Sequence, residues 1–118
     1  MWCMVVERRE PMLSQLRRGV LEYCVMAALR DGERYGYELV AELAADGLLS
    51  SEGTIYPLLG RLRKDGTVAT RWRESSSGPP RRYYSLTARG YDTLARFGVE
   101  WSRFRDAVDQ ILETGVRS

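Results

Sequence analysis

Apolar positions along the chain repeat with a helical period to about residue 65, then alternate, then return to a helical period. From Leu13 to Arg30, Leu16, Val20, Cys24 and Ala27 line one face and Leu21, Val25 and Ala28 the adjacent one. A stripe that wide predicts a helix buried on two sides. Asp31-Gly32 stops it. A second, shorter helix is predicted from about Tyr35 to Asp46, with Leu39, Val40 and Leu43 inward and Gly47 as its C-terminal cap. Ser50 and Ser51 are N-cap candidates for a third helix reaching Asp65. On it Ile55, Leu58, Leu59 and Leu62 fall at i, i+3, i+4 and i+7, a buried face. The opposite face carries Gly53, Tyr56, Pro57, Gly60 and Lys64. Exposed glycine costs a helix about 1 kcal/mol and interior proline about 3. Small residues there let the backbone approach another surface closely, and local rules are broken where function requires it.

Beyond Gly66, Val68, Thr70 and Trp72 alternate with Ala69, Arg71 and Arg73, which predicts a strand. Ser75-Ser76-Ser77-Gly78-Pro79-Pro80 is a loop by composition, and Arg81 to Leu86 is the return strand, with Tyr84 and Leu86 on one face. Three helices followed by a basic hairpin predict a winged helix-turn-helix. Thr87 is the N-cap of the last helix, on which Leu94, Phe97, Trp101, Phe104, Val108 and Ile111 recur at steps of three and four. That narrow stripe is the a/d seam of helix pairing. One helix projecting from so small a domain cannot bury it alone, so a second copy of the chain is the expected partner. The fold class is therefore mainly α with a small β-hairpin. Residues 1–12, closed by Pro11, form a flexible lead-in; 13–86 form a winged helix-turn-helix; 87–118 form a dimerisation helix with a short tail.

Composition narrows the chemistry. The 118 residues include no histidine and only two cysteines, Cys3 and Cys24. Neither a Ser-His nor a Cys-His pair is possible, and two separated thiols make no zinc site. No cofactor or catalytic group is expected, and Cys24 reads as a free, buried thiol. Asp106, Asp109 and Glu113 share a helix face, but one expected to be wet, so no metal site is assigned. No apolar run reaches the roughly 18–20 residues that cross a bilayer, and Met1 to Val6 is not a secretion signal. The cytoplasm is the expected compartment.

The net charge of +2 hides an uneven distribution. Residues 1–60 carry six basic and nine acidic side chains. Residues 61–82 carry Arg61, Arg63, Lys64, Arg71, Arg73, Arg81 and Arg82 against only Asp65 and Glu74. That window is a footprint for a polyanion. In a helix-turn-helix the second helix enters the major groove while flanking basic groups hold phosphates, and Arg61, Lys64, Arg81 and Arg82 are candidates for that role. A winged helix used only for protein contacts is the alternative, and it has no need of four wing arginines.

Specific motifs add to this reading. Gly36-Tyr37-Glu38-Leu39, the run Ser51-Glu52-Gly53-Thr54-Ile55-Tyr56-Pro57-Leu58-Leu59 with Arg61-Leu62, and Arg81-Arg82-Tyr83-Tyr84-Ser85-Leu86-Thr87 with Gly90 resemble the PadR family of bacterial regulators. The resemblance covers Leu13 to Leu112 and is to the short form, without a larger C-terminal domain. It implies a dimeric winged-helix repressor that binds a partly palindromic double-stranded operator and is released by a small molecule. By that resemblance Ser51, Gly53, Thr54, Tyr56 and Pro57 lie against the major groove, Tyr37 sits near phosphate, and Arg81 and Arg82 serve the wing. Members similar to the multidrug-responsive branch stack flat ligands on a tryptophan between the two copies. Trp101 holds the matching place, with Phe97 and Phe104 beside it, as a candidate pocket for a small aromatic effector.

Overall fold

A computed structural model describes residues 2–48, 53 and 55–117. Its elements run α1 (Trp2–Ala28), β1 (Arg34–Tyr35), α2 (Gly36–Ala45), α3 (Ile55–Lys64), β2 (Val68–Ser75), β3 (Gly78–Leu86) and α4 (Ala88–Arg117). No described helix is long and apolar enough to cross a membrane.

One face of each helix of the triad builds the core. Val25 and Met26 come from α1 and Leu29 from the turn that follows it, Leu39, Val40 and Leu43 from α2, and Ile55, Leu59 and Leu62 from α3; Val68 and Tyr84 of the sheet close it. The spacing anticipated most of this set but misplaced Leu16, which is exposed. The buried positions of α1 concentrate toward its end, and Leu16 lies well before them. Cys24 is half-buried rather than buried, and that burial pushes its thiol pKa up.

A larger departure concerns the N-terminus. Residues expected to be a flexible lead-in belong to α1, which runs through Pro11. Proline removes one i→i−4 hydrogen bond, hence the boundary its presence predicts. That loss is local, and propagation on either side carries the helix across it.

Both helices of the helix-turn-helix end in the same way. Leu48 N–H donates to Leu43 O and Gly47 N–H to Ala44 O, each at 3.1 Å; Thr67 and Gly66 repeat the pattern on Leu62 and Arg63, also at 3.1 Å. These paired bonds require a left-handed residue, and Gly47 (φ 75°) and Gly66 (φ 83°) supply it. The N-cap candidates Ser50 and Ser51 lie outside the described residues.

The sheet is antiparallel with strand order β1-β3-β2. The two-residue β1 is too short to leave a periodic signal. β3 begins three residues before the predicted return strand and includes Pro79 and Pro80. Proline is tolerated there because β1 pairs only with Tyr83 and Tyr84, leaving that edge of β3 open. The register with β2 also shifts between Arg73 and Ser75. Together the triad and the hairpin form a winged helix.

A polar knot seats α4 on this unit. Thr87 Oγ1 accepts from Gly90 N–H at 3.1 Å, as an N-cap should, and donates to Gly66 O at 2.6 Å. Thr87 N–H donates to Thr67 O at 3.1 Å, and Tyr91 Oη–H to Arg30 O at 2.9 Å. Thr87→Ala removes the cap and strands the Gly66 carbonyl, and it is expected to lower unfolding free energy by about 1–2 kcal/mol in a denaturant titration. From this knot α4 extends 30 residues, about 45 Å at helical rise.

Candidate nucleic-acid interface

The three faces of α3 have different neighbours. Ile55, Leu59 and Leu62 are buried, whereas Tyr56, Pro57, Gly60 and Lys64 are exposed, as is Gly53 ahead of the helix. The glycines, proline and Tyr56 singled out as a close-approach surface therefore stand together at the surface. Ser51 and Thr54 lie outside the described residues. Arg61 does not join this group. It sits on the α1 side, where Glu22 (3.5 Å) and Asp65 (3.7 Å) engage its guanidinium. Its partner Glu22 is remote in sequence, so no local pattern reveals the pairing. Arg63, passed over as a site residue, lies on the hairpin side with Tyr56 and Gly60. Their i, i+4, i+7 spacing is the signal that could have found it.

The hairpin divides its arginines between two faces by strand alternation. Arg71, Arg73, Arg81 and Tyr83 share the outer face. Arg71 makes a bidentate pair with Glu33, Nε to Oε2 at 2.6 Å and Nη2 to Oε1 at 3.0 Å, and Arg73 approaches the same carboxylate at 3.5 Å. The hydrogen bonds from Arg71, reinforced by both positive charges, hold the Glu33 carboxyl below the usual carboxylate range. A depressed pKa means that this link persists above the ordinary glutamate pKa and is lost only as acid carries pH through the lowered value. At neutral pH two of the four expected wing arginines are thus already paired. Arg81 is not: it is exposed, in no ion pair among the described residues, and packs 4.9 Å from the Tyr35 ring. Tyr37, the proposed phosphate neighbour, is exposed beside Tyr35 (6.2 Å), which in turn meets Tyr83 (5.7 Å). Arg81 and Tyr37 therefore border one aromatic surface.

Arg82 is on the other face and is not a free wing residue. Its strand parity matches Tyr84 and Leu86, which the alternation had already put on one face, and that parity was the available signal. Its guanidinium lies over Trp72 (5.5 Å) and Tyr84 (5.8 Å) and donates to Thr70 Oγ1 at 3.4 Å.

The α4 seam is likewise divided. Leu94 packs against the core, and Phe97 stacks on Tyr23 of α1 at 4.1 Å and 5°. The chain thus uses the first part of the stripe on itself, because α1 lies against α4 there. Phe97 also stacks with Trp101 at 6.0 Å. Trp101 (39% exposed), Phe104 (65%), Val108 and Ile111 remain uncovered, as do Met12 and Leu16 of α1.

A small helical triad, a basic hairpin and an exposed helix face with basic flanks define a winged-helix DNA-binding protein. Residues 25–96 match the transcriptional regulator PadR-like family, and the chain belongs to it. Its members are transcriptional regulators, not enzymes. A PadR family transcriptional regulator from Eggerthella lenta superimposes with a TM-score of 0.84 at 36% identity, covering 95% of this chain and 98% of that one. A transcriptional regulator of Mycobacterium tuberculosis is 32% identical over 82 residues, 70% of this chain and 76% of its own length. Bacillus subtilis PadR, solved in complex with operator DNA, matches with a TM-score of 0.60 at 27% identity, over 66% of this chain and 46% of that one.

Proposed function

We propose that the protein is a repressor that binds a partly palindromic operator as a homodimer. The observation that carries this reading is the exposed face of α3, where Tyr56, Pro57, Gly60 and Lys64, with Gly53 ahead of the helix, are exposed rather than buried in the core. Residues without bulky side chains bring the helix backbone deep into a major groove, while Lys64, Arg81 and Tyr37 reach phosphates. The unpaired apolar stripe of α4, with Met12 and Leu16, is covered by the second copy. That copy carries the second recognition helix to a half-site about 34 Å away. A flat aromatic effector has its natural place at Trp101 and Phe104, where the seam opens; Phe97 backs Trp101 from within the chain.

Selection of genomic fragments retained by the purified protein tests the reading. A set of fragments sharing a two-fold motif supports it, and retention of none refutes it. On such a fragment Arg81→Ala should reduce the salt-dependence slope by about one unit. Arg71→Ala should reduce it less, because Glu33 already occupies that guanidinium. Equal slopes for wild type and Arg81→Ala would remove the wing from the interface.

A further inference from the structure

Between the hairpin-facing flank of α3 and the inner face of the hairpin lies a cleft of about 100 Å³, lined in part by Tyr56, Arg63, Thr70, Arg82 and Tyr84. We infer that this cleft is a seat for one phosphate group, and that in the protein's working state the occupant is a backbone phosphate of the bound duplex. The inference rests on the DNA-binding reading and adds to it a specific site.

Charge comes first. Two guanidinium groups line the cleft, three hydroxyl-bearing side chains stand beside them, and no carboxylate does. Neither Arg63 nor Arg82 is in an ion pair among the described residues, although Arg34, Arg61, Arg71 and Arg73 all are. Arg82 is half-buried, held between two rings, and its Nε is buried without a hydrogen-bond partner. A cation removed from water without a counter-ion is costly, and an entering oxyanion offsets that cost. Its planar donors are also those best suited to phosphate.

Size then restricts the ligand. A space near 100 Å³ holds roughly three waters at about 30 Å³ each, enough for a tetrahedral oxyanion. Pockets for drug-sized molecules begin at about 300 Å³, so the aromatic effector does not belong here. Location selects the source: Tyr56 and Gly60 belong both to this cleft and to the exposed face of α3, so a duplex lying on that face runs its backbone past the opening.

The test uses an operator fragment from the genomic selection, with uncharged methylphosphonates substituted one position at a time. Wild-type protein should lose about tenfold in affinity at one phosphate per half-site, the scale of a lost charged hydrogen bond. Arg63→Ala, an exposed change expected to fold normally, should lose a similar factor on the unmodified duplex and show a salt slope lower by about one. At the critical position the methylphosphonate should then cost Arg63→Ala nothing more; Arg82→Gln should behave alike, with its folding checked by melting. Full additivity at every position overturns the inference while leaving DNA binding intact. Inorganic phosphate titrated into the DNA-free protein distinguishes the source: weak binding abolished by Arg63→Ala supports the seat, whereas tight binding that displaces the operator reassigns the cleft to a free anion. If no fragment is retained at all, the DNA reading falls and the backbone-phosphate seat with it.

Discussion

Trp101→Glu is expected to convert the protein from a dimer to a monomer and to weaken operator binding by about two orders of magnitude or more. Trp101 is 39% exposed in the single chain, and Phe104, Ile111 and Leu112 are more exposed still. An apolar stripe on a projecting helix is unstable in water unless another surface covers it. A carboxylate at its centre would be buried against its symmetry mate with no counter-ion, which association energies of this size do not absorb. The intrachain stack of Phe97 on Tyr23 lies one step back along α4 and should keep the fold. Operator affinity falls because joining two half-site contacts makes the second effectively intramolecular, a gain of about 10²–10⁴. Light scattering reads the mass, about twice 13.5 kDa for wild type and once for the variant. A variant that stays dimeric removes Trp101 from the seam; a monomer with undiminished affinity removes the dimer from DNA recognition.

Gly90→Ala is expected to be more damaging than a methyl group added at any other of the glycines whose surroundings the structure describes. A Cβ at that position would lie 2.2 Å from Thr67 O and 2.8 Å from Leu86 Cδ2. The carbonyl cannot retreat freely, because it accepts the hydrogen bond from Thr87 N–H that seats α4. Overpacking of this kind costs about 3 kcal/mol, which corresponds to a melting point lower by roughly 15 °C for a domain of this size. The consequence reaches beyond stability. The same knot sets the direction in which α4 leaves the winged helix, and in the proposed dimer it would set the spacing of the two recognition helices. Operator affinity should therefore fall even at temperatures where the variant is folded. A melting point within a few degrees of wild type would show that α4 can lift off the α3–β2 turn cheaply.

The elements were legible because their causes are local. Leu39, Val40 and Leu43 mark one face of α2 and Ile55, Leu59 and Leu62 one face of α3, and each set is buried. Gly47 and Gly66 end those helices for a reason contained in a few bonds of backbone. Thr87 caps α4 through a contact three residues away. The alternation that placed Tyr84 and Leu86 on one face of the return strand also placed Arg82 with them by parity, a consequence easily overlooked when four arginines are counted as a single basic tip. Pro11 misled because proline weighs heavily on one hydrogen bond and lightly on a long helix.

Periodicity and punctuation along the chain thus determined a three-helix unit, a hairpin, a long apolar-striped helix and a basic window between residues 61 and 82. Only the folded chain decided which of those charges stay available. Glu33 reaches Arg71 across 38 positions, and Glu22 reaches Arg61 across the α1–α3 contact. Arg82 enters a stack that exists only once β2 and β3 pair. The physical reason is range. Helix and turn preferences act over a few residues of backbone, whereas a charge is governed by whatever folding places within a few ångströms of it, and one-dimensional spacing does not encode that distance.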